Sequence, residues 1–362
     1  MTQDLDSRQS TLIKAMRFPL ICLVVFAHSA GAFQPPTVEW SLDGANVFHF
    51  VAEMLSRHFC SIGTCWFFVF SGYFFLRFLE ERDFNARWVA GKWKKRVRSL
   101  LIPFLVWNTL MVLIIVLKNE AFEWLSLGKN PGEILDVTRG PLYWYFTGPV
   151  DLPLWFLRDL MLMSLLAPLL YLVFKRFPWV SLAALIVVYL SPWDPFIPTM
   201  RSIFFFSLGA WLGTTKRNML ALCRKVKIPA AIGAVILLLA ATSQVGRPLH
   251  TLLLRAFYPF GMVVFMNFCD RLTADERTCD RLCNLAGSVF FIYAAHEIYV
   301  LGWTKGVLLR LLGDSMAATW IRYFLVPVIV ILICLALYHI LNRIAPHALA
   351  FACGGRSQRN TK

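Results

Sequence analysis

The sequence predicts an all-α polytopic membrane protein with about ten transmembrane helices. Three observations carry this. Hydrophobic residues make up 58% of the 362-residue chain and charged residues only 16%, against roughly a quarter charged in soluble domains. Mean hydropathy is +0.61. Apolar runs approaching the ~20 residues that cross a bilayer recur along the chain, at 12–32, 59–79, 99–117, 153–174, 178–192, 199–214, 228–244, 251–268, 285–303 and 319–341. The fifth and sixth runs are short, and their boundaries are the weakest. A soluble core of this composition would leave too few polar side chains to cover its surface.

The order of charges orients these spans. Net charge is +15, from 36 Lys and Arg against 21 Asp and Glu. In a soluble chain such a balance suggests nucleic acid; here it reads as cytoplasmic loops rich in Lys and Arg, with no nucleic-acid partner. Ten spans place both termini on one side, and 25 of the 36 basic residues fall on that side, eight of them between Arg77 and Arg98. Both termini are therefore expected in the cytoplasm. Lys14 and Arg17, an apolar run, and then Ala27, Ser29 and Ala30 mimic a signal peptide. The long apolar stretch and the nine spans after it favour an uncleaved first helix. Residues 1–345 read as one membrane domain and 346–362 as a short cytoplasmic tail. Two outer loops, 33–58 (Pro35, Pro36, Trp40, His49) and 118–152 (Trp124, Pro131, Tyr143, Trp144, Tyr145), carry aromatic residues that suit an interfacial belt. The nine cysteines form no CxxC pair, the histidines show no ligand spacing, and no phosphate-binding GxxxxGK[ST] run occurs. No metal site and no ATP-driven engine are expected.

Ionisable groups inside hydrocarbon are costly and point to function. Arg17 and His28 share the first span. Eleven residues at 100° each leave only about 20° between their directions, and at 1.5 Å per residue they lie about 16 Å apart along the axis. An arginine that can hold phosphate, with an imidazole deeper on the same face, suits an extended acyl-CoA. In the second span, Ser71 and Gly72 precede Tyr73; Gly72 reads as a helix-packing position. Lys95, Arg96 and Arg98 form a basic entry to the third span, suited to CoA phosphates or to topology alone. Trp155 and Arg158 open the fourth span. Arg158 and Asp159 are adjacent on the helix, so each is expected to pair with another helix. In the ninth span Tyr293 and His296 share a face, and Glu297 can orient an imidazole from a different span.

Taken together these residues resemble the integral-membrane acyltransferase-3 family, which includes bacterial O-acetyltransferases of O-antigen, enterobacterial common antigen and exopolysaccharide. The resemblance covers essentially the whole chain. It rests on Arg17-x10-His28, on Phe67-Phe68-x-x-Ser71-Gly72-Tyr73, on Leu154-Trp155-Phe156-Leu157, and on Ser288 to His296 with Tyr293 between them. Where the family tends to carry Arg-x-x-Arg before its third span, this chain has Lys95-x-x-Arg98. The resemblance implies transfer of an acyl group, usually acetyl, from cytoplasmic acetyl-CoA to a hydroxyl of a cell-envelope or secreted glycan or its lipid-linked precursor, in a bacterial inner membrane and among its lipids. CoA is then a co-substrate, not a tightly bound cofactor. His28 would act as general base or as acyl-accepting nucleophile, and Arg17, Lys95, Arg96 and Arg98 would hold CoA phosphates. Ser71, Tyr73, Trp155, Arg158, Tyr293, His296 and Glu297 would line the substrate. Two other readings stand beside this one: a polysaccharide or glycolipid transporter without chemistry, and a non-enzymatic scaffold.

Overall fold

A computed structural model describes residues 2–29, 37–39, 41–125 and 140–355. Pro35, Pro36, Trp40, Pro131 and the end of the expected tail lie outside the described residues. All regular structure among the described residues is helical. In chain order the helices are α1 (Thr2–Ser29), α2 (Gly44–Ala52), α3 (Ile62–Leu76), α4 (Ala86–Arg96), α5 (Ile102–Trp124), the single turn α6 (Gly140–Leu142), α7 (Trp155–Arg176), α8 (Pro178–Leu190), α9 (Met200–Thr214), α10 (Met219–Lys225), α11 (Lys227–Ser243), α12 (His250–Leu272), α13 (Glu276–Leu285), α14 (Val289–Ala295), α15 (Leu301–Leu312), α16 (Met316–Ile344) and α17 (Pro346–Ala352).

The count of ten spans is too high. Six helical segments are long and apolar enough to cross a membrane: Leu5–Ser29, Gly44–Leu76, Ala86–Trp124, Leu152–Arg176, His250–Leu272 and Met316–Ile344. The total rises to eight if α10 with α11 (bent by 77°) and α13 with α14 and α15 (bent by 50°) each form one span. The overcount came from 178–192 and 199–214. These fold as helices of 13 and 15 residues, which at 1.5 Å per residue rise about 20 Å, short of a ~30 Å hydrocarbon core.

Local sequence sets the ends of these helices. Thr199, Asn218, Asp275 and Ser315 each cap the following helix by accepting from a backbone N–H two or three residues into it, which satisfies donors that a helix start leaves open. The centre of the bundle is α3 against α9. There Gly72, Gly209 and Gly213 let two backbones touch: a Cβ at Gly72 would collide with the Phe206 carbonyl, one at Gly209 with that of Val69, and one at Gly213 would sit 2.7 Å from that of Tyr73. Small residues of this kind are how membrane helices approach closely, as the sequence suggested for Gly72. α1 packs on α3, α13, α14 and α16, burying Leu12, Ile13, Met16 and Leu20 completely or nearly so. The segment expected as a tail begins with α17, whose Ala352 carbonyl accepts from Trp107 Nε1 of α5 at 2.9 Å.

One end of the bundle is basic. It gathers the Arg8–Asp270, Arg77–Asp6 and Arg224–Asp270 ion pairs with Lys216, whose ammonium donates to the Arg77 and Leu79 carbonyls. The C-terminal end of α1 and the N-terminal ends of α7, α9 and α12 lie at the opposite end.

Candidate active site

Three side chains from the first and ninth predicted spans meet in one cluster. His28 Nδ1 lies 2.8 Å from Glu297 Oε1. The His28 and His296 rings are 5.1 Å apart, edge to face. Each of His28, His296 and Glu297 offers a ligand atom within 4.8 Å of the others. His28 and Glu297 keep about a quarter of their side-chain surface open, whereas His296 is fully buried.

The hydrogen bonds assign the tautomers. His296 Nδ1 approaches the Ile292 and Tyr293 carbonyls at 3.1 and 2.8 Å. Carbonyls only accept, so Nδ1 carries the proton and Nε2 is left with a lone pair. That Nε2 is buried and has no partner among the described residues. A carboxylate on His28 Nδ1 holds the proton there by the same logic and turns His28 Nε2 into an acceptor. Two imidazole lone pairs and one carboxylate therefore share a small volume. They form a proton-accepting centre. They are also the one group of three metal-ligand side chains found among the described residues. The sequence spacing that argued against a metal could not register ligands from two different spans.

The backbone breaks just beyond this cluster. Ile298 and Tyr299 leave helical geometry, Tyr299 with φ of 58°, a left-handed conformation that a bulky residue adopts rarely. The break separates α14 from α15. Lys305 of α15 then reaches back, its Nζ donating to the His28 carbonyl at 3.0 Å. Asp151 is 1% exposed and neither of its carboxylate oxygens has a partner among the described residues. Burial, and then the negative charge of Glu297, push its carboxyl well above the usual carboxylate range. Its backbone is held by Asn108, whose Oδ1 accepts from the Val150 and Asp151 N–H groups. Sequence reading passed over Lys305 and Asp151. The signal for Asp151 was an acid at the entrance of an apolar run with no basic residue directly beside it.

A cavity of about 620 Å³ runs from the basic end towards the cluster. Lys14, Arg17 and Arg96 line its mouth, and Phe67, Phe70, Phe74, Phe156, Phe290 and Tyr293 its interior. Among the described residues, no acidic side chain lines it. Arg17 is open to solvent and has no partner among the described residues, so its guanidinium is free to take a ligand. Part of the wall is the bend at Ala286 and Gly287 between α13 and α14, in keeping with the rule that broken helices in membranes line cavities. The lining ends at Tyr293, one helical turn before His296.

The other expected site residues distribute as follows. Ser71 lines the cavity and accepts from Arg96 Nη2 at 3.2 Å. Tyr73 does not line it; the ring is buried in the core and its hydroxyl accepts from Gln9 Nε2 at 2.8 Å. Lys95 and Arg98 are exposed and outside the lining, because Arg96 alone of the three points inward on this turn. Tyr293 lines the cavity and donates its hydroxyl to the Pro153 carbonyl at 2.6 Å. Trp155 lines a different cavity, described below.

Arg158 corrects its expectation. It pairs with its neighbour Asp159, Nε and Nη2 both donating to Oδ1 at 3.1 and 3.0 Å. At the first turn of α7 the long guanidinium folds back over the short carboxylate. Arg158 Nη1 also donates to the Phe146 and Thr147 carbonyls, and Asp159 Oδ2 accepts from the Thr199 N–H and hydroxyl. The pair is a latch between loops.

Comparison with known proteins adds two findings. A family profile described as an acyltransferase domain matches residues 12–339. The succinoglycan biosynthesis protein ExoH of Rhizobium meliloti (strain 1021) is 30% identical over 369 aligned residues, spanning 98% of this chain and 94% of that protein. No solved structure matches.

Proposed function

This chain belongs to the acyltransferase domain family, and from that premise we propose that it moves an acyl group, acetyl in the first instance, from cytoplasmic acyl-CoA to a hydroxyl of a cell-envelope or secreted glycan. The observation that carries the reading is the His28–Glu297 hydrogen bond of 2.8 Å, set one turn beyond the aromatic end of a basic cavity. The CoA phosphates meet Lys14, Arg17 and Arg96 at the mouth, where guanidinium groups offer paired donors to phosphate oxygens. The thin pantetheine arm passes between the phenylalanines and brings the thioester to the cluster.

His28 Nε2 takes the proton of the acceptor hydroxyl as that oxygen bonds to the thioester carbonyl carbon. The carbon–sulfur bond then breaks, and the imidazolium returns the proton to the departing CoA sulfur. Glu297 holds the ring in the useful tautomer and balances the charge it gains. His296 Nε2 is left as an acceptor for a second hydroxyl of the sugar.

A bacterial inner membrane with both termini in the cytoplasm fits this use of CoA. The relative's role in succinoglycan biosynthesis favours an exopolysaccharide or its lipid-linked precursor as acceptor.

Inside-out vesicles given radiolabelled acetyl-CoA and the host's glycan lipids test the reading. Label is expected in alkali-labile ester with the native protein, and a loss of about 10²- to 10⁴-fold with His28→Ala. Equal label in both would remove the chemistry and make transport the leading reading. Label trapped on the protein itself, stable until acceptor is added, would move His28 from base to acyl carrier.

A further inference from the structure

A second cavity of about 450 Å³ opens at the end of the bundle opposite the basic one. It lies between the first turns of α7, α9 and α12 and the last turn of α8. Trp155, Phe196 and Tyr258 supply aromatic surface, and Asp194, Arg201 and Arg255 supply charge.

The charges are not balanced. Arg255 is spent: Nη2 donates to Asp194 Oδ1 at 2.7 Å, and Nη1 serves the Tyr189, Ser191 and Trp193 carbonyls. Arg201 is different. Nη1 reaches the Thr64 hydroxyl at 3.3 Å and Nη2 the Tyr258 hydroxyl at 2.9 Å. Its carbon lies 5.1 Å from the centre of the Tyr258 ring. Both oxygens are neutral, and no carboxylate pairs with Arg201 among the described residues. A guanidinium has five N–H donors; Arg201 lines the cavity, and three of its donors have no acceptor among the described residues. A cation removed from bulk water without a counter-charge is costly, and it is retained where a ligand supplies that charge.

We propose that this cavity binds an anionic sugar, with Arg201 holding a carboxylate or phosphate and Trp155, Phe196 and Tyr258 lying against the apolar face of the ring. The aromatic surface fits the C–H face of a pyranose. The planar guanidinium, steadied by Thr64 and Tyr258, presents paired donors of the kind that carboxylates and phosphates accept. The site is inferred from its own charges. That its occupant is the acyl acceptor rests on the function proposed above. Trp155 lines this cavity and Phe156, its neighbour on α7, lines the donor cavity, so adjacent residues of one helix border the two.

Binding measured without transfer keeps the two ideas apart. The full chain in nanodiscs is titrated by calorimetry with a uronic-acid oligosaccharide, with a hexose 1-phosphate and with a neutral oligosaccharide of equal length. The acidic sugars are expected to bind at least tenfold more tightly than the neutral one, and added salt should weaken them. Arg201→Gln should erase that preference. His28→Ala should bind them as the native protein does, even though transfer is lost. Thr251→Trp, which fills the cavity and leaves Arg201 in place, should block binding and serves if Arg201→Gln folds poorly. Preference for the uronate assigns a carboxylate on the glycan; preference for the hexose phosphate assigns the phosphate of a lipid-linked precursor. Equal binding of neutral and acidic sugars, no binding of any, or unchanged binding by both cavity variants would overturn the proposal.

Discussion

Two clusters of charge sit within this bundle and they are built on opposite plans. At the start of α7, Arg158 and Asp159 satisfy one another, and their remaining atoms meet two carbonyls and Thr199. At the break after α14, His28, His296 and Glu297 satisfy one contact and leave imidazole lone pairs open. The first arrangement is closed, and what it does is hold loops in place. The second is open, and its unfilled hydrogen-bonding capacity is what a substrate can use. Burial and charge alone do not separate a latch from a reactive centre; the count of satisfied atoms does.

The difference can be attacked from either side, starting where the largest effect is expected. Arg158→Ala strands a fully buried carboxylate, a change that typically costs about 3–5 kcal/mol. It should empty the folded fraction in a thermal melt while leaving the KM for acyl-CoA of the surviving protein unaltered. A raised KM with an unchanged melt would make the latch part of the site. Glu297→Gln keeps an acceptor for His28 Nδ1 but removes the charge. Turnover should drop about 100-fold with little change in melting temperature, and a large loss of stability instead would place Glu297 among the structural groups. Arg17→Ala should raise the KM for acyl-CoA about tenfold, as one lost charge-assisted contact does, with salt weakening the native enzyme more than the variant. Arg98→Ala, outside the cavity, should change it less than about twofold; equal effects from the two would return Arg98 to the phosphate site. The smallest effect belongs to Asp151. Folding raises its pKa, so the native state holds the proton more tightly than the unfolded chain. Its contribution to stability is full below the ordinary carboxylate range and declines as pH rises from there towards the raised value. Asp151→Asn cannot ionise and should flatten that decline in melts taken across pH; a decline of unchanged slope would assign it to other groups.

Much of the centre was legible because helices repeat. The 100° step put Arg17 and His28 on one face, and the three-residue step put Tyr293 beside His296. Both relations hold locally, so no knowledge of the tertiary fold was needed. That Glu297 could orient an imidazole from another span was also readable, since a buried carboxylate next to a histidine is costly without a partner. What could not be read was anything set by contacts between distant segments. Lys95, Arg96 and Arg98 look alike in sequence, and only the packing of α4 turns Arg96 inward. Arg201 sits at the start of an apolar run, and its lack of a counter-charge depends on where α12 and α3 fall. Hydropathy also misjudged 178–192 and 199–214: both runs are apolar, but α9 is apolar because protein buries it, and α8, which leaves Trp179, Val180 and Val187 exposed, is only 13 residues long.

The glycine contact at the centre reaches further than packing density. α3 contributes Phe67, Phe70, Ser71 and Phe74 to the donor cavity, and α9 contributes Met200 and Arg201 to the cavity at the other end. With backbone against backbone at Gly72 and Gly209, no layer of soft side chains lies between them to absorb movement. The two vestibules therefore share a partition in which backbone meets backbone. On the proposed function, donor and sugar would bind on either side of one wall, as in two rooms that share a door frame.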